Sequence, residues 1–138
     1  MPTEAVVDSS VITALVTPEE GSHWAQKKIS EHYYFHILDL NYYEVANALR
    51  HKTSSKFNAK DAAQAFTEAT ELMNLYAVHE FSELIADALA LALDLNITVY
   101  DAAFLSLANK LDLRFLTLDV KLAKKLECTK CSGLIECP

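Results

Sequence analysis

The chain has 138 residues, 51% of them hydrophobic and 22% charged, a balance that allows one buried core without metal or disulfide staples. Two glycines, Gly21 and Gly133, and three prolines exclude glycine-rich phosphate loops and any repetitive or linker-like composition. Twelve basic against 19 acidic residues give a net charge of −7 with neutral histidines, so the long-range field alone repels nucleic acid.

Ala5-Val6-Val7 is a short β-branched run ending at Asp8, and the Ser9-Ser10 pair after it predicts a helix cap. A short helix follows over Val11 to Val16, stopped by Thr17-Pro18, and an amphipathic helix over His23 to Glu31. Tyr34 to Leu38 is aromatic and β-branched, a second strand. Asn41 to Lys52 is helical, with Glu44 in its first turn and Val45, Ala46 and Leu49 on its apolar stripe. Asn58 caps an Ala-rich helix reaching about Leu75. Ala77-Val78 is a weak strand, and Ser82 caps a helix through Ile85, Leu89 and Leu93. Ile97-Thr98-Val99 reads as extended. Asp101 then opens a helix whose apolar face carries Phe104, Leu105, Ala108 and Leu111. Arg114 to Leu118 is a strand ended by Asp119, Val120 to Leu126 a short helix, and Leu134-Ile135 a last strand.

Strands that alternate with helices, each strand a continuous apolar run, predict an α/β fold whose parallel sheet is covered on both faces. No repeat or linker interrupts the chain, so residues 1–138 are expected to form one domain. No uncharged apolar run reaches the roughly 18 residues of a transmembrane helix. The leading segment MPTEAVVDSS carries Glu4 and no basic residue, which predicts no signal peptide and a cytoplasmic protein.

Ligands of open parallel sheets gather at the carboxyl ends of the strands. Asp8, Glu44, Asp101 and Asp119 all fall there. Singly, each has an ordinary reading as a helix cap, a first-turn acid or a turn residue. Four like charges at one sheet edge, however, repel one another unless a cation compensates them. Oxygen donors without His or Cys select Mg²⁺ or Mn²⁺, and such ions activate water for in-line attack on a phosphodiester.

The motifs AVVDSS around Asp8, NYYEVANAL around Glu44, TVYDAAFLSLA around Asp101 and FLTLD around Asp119 resemble those of PIN-domain nucleases. Among these, the similarity is greatest to the VapC-type toxins of prokaryotic toxin–antitoxin pairs, and it extends from about Ala5 to Leu122. The resemblance implies a three-layer α/β/α sandwich with a central, largely parallel sheet. It implies a Mg²⁺- or Mn²⁺-dependent endoribonuclease in which Asp8, Glu44, Asp101 and Asp119 are catalytic and hold the metal, with Ser10 and Thr117 in support. It further implies a homodimer and a small antitoxin partner. Two bound divalent cations, adding four positive charges, would bring the net charge from −7 to −3.

The stretch from Val45 to Lys60 contains Arg50, His51, Lys52, Lys56, Phe57 and Lys60 and no acid. It is a candidate RNA contact through Arg50, Lys52, Lys56 and Lys60, or else a solvated helix end. The five histidines show no HxH or HExxH spacing. Cys128, Cys131 and Cys137 make neither a disulfide framework nor a four-ligand zinc site. Three other functions stay open at this level. A PIN nuclease of RNA processing outside a toxin–antitoxin pair and a non-catalytic PIN-fold module share the motifs. A receiver-like domain also clusters Asp at strand ends, but this chain lacks the receiver's paired acids after the first strand and its closing Lys.

Overall fold

The computed structural model describes residues 4–138; Met1 to Thr3, which open the segment read for a signal peptide, lie outside it. In chain order the elements are β1 (Glu4–Val7), α1 (Ser9–Val16), α2 (Ser22–Glu31), β2 (Tyr34–Leu38), α3 (Leu40–Lys52) and α4 (Ala59–Met73). They continue with β3 (Ala77–His79), α5 (Ile85–Leu95), α6 (Val99–Leu111), β4 (Phe115–Leu116), α7 (Val120–Leu126) and β5 (Ile135–Glu136).

The strands form one sheet in the order β3-β2-β1-β4-β5, and every pairing is parallel. Successive side chains of a strand face opposite sides, and the sequence supplies apolar residues for both. Ala5, Val7, Phe35, Ile37 and Leu116 join the core under α1 to α4. Val6, Leu38 and Phe115 join the core under α5 to α7, where Phe104 and Phe115 stack with ring centroids 5.5 Å apart. The three-layer α/β/α sandwich expected from the motifs is the observed architecture. The chain runs outward from β1 through β2 to β3, then returns to the other side of β1 with β4. The order therefore reverses between β1 and β4, and a crevice opens there beyond the strand ends.

Several local expectations change. Ile97 to Val99 is not extended. Asn96 ends α5 in the left-handed region (φ 55°), and Thr98 caps α6 by accepting the Asp101 N–H at 3.1 Å. Three β-branched residues raise strand propensity, but so short a run at the junction of two packed helices finds no strand to pair with. Asp101 is consequently the third residue of α6 and not its opener. Glu44 is the fifth residue of α3, because that helix begins at Leu40. Phe81 to Glu83 forms a 3₁₀ turn, which delays α5 to Ile85. The cap of α1 is Asp8 itself, ahead of the two serines. Cys128, Cys131 and Cys137 are free thiols. His36 links three strands: its ring nitrogens lie 2.8 Å from Glu4 Oε1 and 2.9 Å from His79 Nε2. Among the described residues no single helix is long and apolar enough to cross a membrane.

Candidate active site

Asp8 follows the last residue of β1 at the crevice and is buried. As N-cap of α1, its Oδ1 accepts the Ser10 and Val11 N–H groups at 3.0 and 3.4 Å and the Ser10 hydroxyl at 2.5 Å. Its Oδ2 accepts the Thr117 hydroxyl, which comes from the end of β4, 109 residues away in the chain. Thr117 Oγ1 in turn accepts the Asp119 N–H at 3.0 Å, and Ser10 Oγ accepts the Leu118 N–H at 3.0 Å. The two hydroxyls thus stitch the β1–α1 turn to the β4–α7 turn. Asp119 caps α7 through the Leu122 N–H at 3.0 Å. Ser10 and Thr117, expected in a supporting role, each donate a hydroxyl hydrogen bond to the Asp8 carboxylate.

Glu44 reaches the same crevice from α3. The placement of that helix depends on Asn41, a buried residue of the NYYEVANAL motif for which the sequence carried no role. Its Oδ1 accepts the Leu38 N–H at 2.9 Å, and its Nδ2 donates to the Val7 carbonyl at 3.3 Å. The amide thereby ties the ends of β1 and β2 to the start of α3. An Asn one turn ahead of an acid, inside an apolar helix start, is a signal that can be read as such a tie.

The electrostatics bind the four acids into one group. Burial, then the charge of Asp8 and then that of Asp101, push Glu44 up to about 7 against a small opposing effect of the Ser9 hydroxyl. Burial raises Asp8 to about 6 in spite of its four hydrogen bonds. Asp101 is raised by burial and by Asp119, and eased by Thr98 and Lys125. The charge of Lys125, on α7 and outside the motifs, thus reaches Asp101 without pairing with it. Cys137 also belongs to the neighbourhood: it follows β5, and burial together with the charges of Asp119 and Asp8 holds its thiol up.

The four side chains share an edge without closing on one point. Among the described residues no three His, Cys, Asp or Glu side chains converge closely enough to hold a metal ion as they stand. Glu44 Oε1 is nevertheless buried with no hydrogen-bond partner. A buried carboxylate oxygen left unpaired is costly, and its neighbours add negative charge. Donor type, charge and the orphaned oxygen together fit a hard divalent cation.

The basic stretch lies elsewhere on the arm formed by α3 and α4. Lys52 pairs with Glu19 of the α1–α2 loop at 2.5 Å. Arg50 borders an open, mostly apolar recess of about 290 Å³ between α3 and α4, with Leu49, Ala62 and Phe66. Lys56 and Lys60 stand exposed at the turn into α4.

A parallel sheet with a strand-order reversal, two hydroxyl-braced aspartates at that point and two further acids from flanking helices define a PIN-type site. The sequence profile of the PIN domain matches residues 5–126, and the chain belongs to that family. It is 43% identical over 121 residues to ribonuclease VapC3 of Pyrobaculum aerophilum, covering 87% of this chain and 92% of that protein. A crystal structure of a Pyrobaculum aerophilum protein superposes with a TM-score of 0.67 at 28% identity, over 96% of this chain and 83% of the other. The fold is shared with a toxin–antitoxin complex of Klebsiella pneumoniae (TM-score 0.70, 14% identity, 96% and 95% coverage). It is shared as well with the sarcin–ricin loop cleaving toxin VapC20 of Mycobacterium tuberculosis (TM-score 0.64, 15% identity, 82% and 86% coverage).

Proposed function

We propose that this chain is a Mg²⁺- or Mn²⁺-dependent endoribonuclease, a single nuclease domain acting as the toxin of a toxin–antitoxin pair in the cytoplasm. The observation that carries the reading is the unpaired, buried Glu44 Oε1 facing the charges of Asp8 and Asp101 at the carboxyl edge of the sheet. The 43% identity to a ribonuclease supports the substrate class.

In this reading Asp8, Glu44, Asp101 and Asp119 hold the cation. When bound, it supplies Lewis acidity to water and to the scissile phosphate. The chain's own contributions follow from its contacts. Ser10 and Thr117 keep both oxygens of Asp8 oriented, so the carboxylate does not reorganise as charge develops. Asn41 sets the height of α3 and hence of Glu44. The charge of Lys125 reaches Asp101, where a polyanion must approach.

The test is cleavage of a structured RNA substrate. Full-length RNA is expected to be cut in Mg²⁺ or Mn²⁺ and left intact in EDTA; cutting at full rate in EDTA contradicts the reading.

The RNA backbone is proposed to run over Arg50, Lys52, Lys56 and Lys60. Exposure of Lys56 and Lys60 and of the Arg50 recess supports that path, while the Glu19 partner reduces the charge available from Lys52. Each lost phosphate contact lowers the slope of log affinity against log salt by about 0.7 for a single strand. Arg50→Ala with Lys52→Ala is therefore expected to flatten the salt dependence in a fluorescence-anisotropy titration with Ca²⁺. An unchanged slope moves the path to Lys121, Lys124 and Lys125 on α7.

Assembly follows the same proposal. Helix α5 presents Ile85, Leu89 and Leu93 on one stripe at 44%, 51% and 76% exposure, an apolar face suited to a second copy. An antitoxin partner is supported by the fold shared with the Klebsiella pneumoniae toxin–antitoxin complex.

A further inference from the structure

We infer that Tyr43 and Tyr100 are stacking platforms for unpaired nucleobases on either side of the scissile phosphate. The inference rests on the ribonuclease reading and adds to it two residues, one on each side of the acids, that would hold the bases of the substrate.

Each tyrosine immediately precedes one of the site's acids, Tyr43 before Glu44 on α3 and Tyr100 before Asp101 on α6. Consecutive helical residues lie about 3.8 Å apart at Cα and point about 100° apart around the axis. A helix that carries its carboxylate at the crevice therefore carries the preceding ring within one residue of it. The exposures agree: Glu44 and Asp101 are partly buried, while Tyr43 is 80% and Tyr100 62% exposed. The two helices pack on opposite faces of the sheet, α3 with the core under α1 to α4 and α6 with the other. Each of the two helices that bring an acid to the crevice, one on either face of the sheet, thus carries an exposed tyrosine beside that acid.

Neither ring has an aromatic or hydrogen-bonding partner among the described residues. The neighbouring Tyr42 donates its hydroxyl to Asn74 Oδ1, and Tyr34 packs edge-on against His36, whereas Tyr43 and Tyr100 pack on no aromatic ring. Large exposed apolar surface beside a functional site marks recognition. The occupant follows from the chemistry between the rings. A phosphodiester held at the acids carries a base on each side, and an aromatic face accepts any base by stacking. A base inside a duplex is already stacked and offers no free face, so the segment must be single-stranded. The charge arrangement is complementary: the acids would hold a cation for the phosphate, and the uncharged rings next to two of them would take the bases.

The experiment titrates fluorescein-labelled single-stranded RNA and an abasic ribose-phosphate strand of equal length in Ca²⁺, using wild type, Tyr43→Ala, Tyr100→Ala, the double variant and the two Tyr→Phe variants. Each Ala variant is expected to weaken RNA binding on the order of tenfold. The double variant should bring RNA down to the affinity of the abasic strand, which none of the changes should alter. Tyr→Phe should bind as wild type, since stacking needs the ring and not the hydroxyl. Unchanged RNA affinity in the double Ala variant overturns the platform and assigns the rings to a protein partner. Equal affinity of the wild type for RNA and abasic strand overturns it while leaving the nuclease reading intact. Failure of the wild type to bind either strand overturns both.

Discussion

Asp8→Asn is expected to lower the rate of RNA cleavage by about a hundredfold to a thousandfold while leaving the fold in place. Loss of one preorganised electrostatic group at a reacting centre costs on the order of 10² to 10³ in rate, and Asp8 is buried at the centre of the acid group. Asparagine caps a helix as well as aspartate. It keeps an oxygen to accept the Ser10 and Val11 N–H groups, so the start of α1 survives, while the charge and the acceptor of the Thr117 hydroxyl are lost. Asp8→Ala removes cap and charge together and should also destabilise the protein, by about 1 kcal/mol for the cap. Glu44→Gln should match Asp8→Asn in activity. Gel-resolved cleavage rates, paired with thermal melts of each variant, separate the two roles of the aspartate. Full activity in Asp8→Asn contradicts its place in the reaction. A uniform fall in melting temperature across Asn or Gln variants of all four acids would make them caps and turn residues.

The second large effect concerns stability without divalent cations, which is expected to fall as pH rises from about 5 to 7.5. In the unfolded chain Asp8 and Glu44 ionise at their ordinary values near 3.8 and 4.5; in the folded protein they ionise at about 6 and about 7. Between those limits the folded state binds more protons than the unfolded state, so stability falls with pH. The contribution is fully present below the unfolded values and is lost once pH has passed the folded ones. For the buried Asp8 alone, a shift of this size is worth about 3 kcal/mol.

Mg²⁺ should reverse the loss at pH 7.5, stabilising by about 2.7 kcal/mol at a hundredfold excess over its Kd. It should do little at pH 5, where protons occupy the same oxygens. Glu44→Gln removes one of the repelling charges. It is expected to raise the melting temperature in EDTA at pH 7.5 and to blunt the Mg²⁺ response. Urea unfolding at the two pH values, in EDTA and in Mg²⁺, checks every part. A pH profile identical in wild type and Glu44→Gln contradicts the burial of a repelled carboxylate at position 44.

Much of this arrangement is written locally. The runs Ala5-Val6-Val7 and Tyr34 to Leu38 read as strands because β-branched and aromatic side chains fill both faces of a covered sheet. The Ala-rich helix after Asn58 declares itself through its capping box with Asp61. Asp8 and Asp119 could be picked out because each stands at a strand–helix junction, a place visible within a few residues of chain, whereas Glu44 stands one turn inside α3 and Asp101 follows a junction between two helices. The alternation of strands and helices predicted the α/β class, the strand ends the candidate ligand set, and the resemblance of the motifs the three-layer sandwich.

What the sequence could not contain is which junctions meet. The neighbour of β1 is β4, through Val6 beside Phe115 and Val7 beside Leu116, and no local pattern encodes a pairing across more than a hundred residues. Only that pairing brings the Thr117 hydroxyl to Asp8 and turns two separate caps into one braced site. The burial of Glu44, its unpaired oxygen, the charge of Lys125 felt at Asp101 and the exposure of Tyr43 and Tyr100 have the same origin. Each depends on how α3, α6 and α7 pack around the crevice. Ile97 to Val99 makes the same point in reverse: intrinsic preference favours a strand, and the packing of α5 against α6 gives those residues a helix start. Sequence determined the elements and the chemistry they carry, because propensity, capping and charge act over a few residues. Tertiary structure alone decided which groups face one another, because burial and Coulomb interaction act through space and not along the chain.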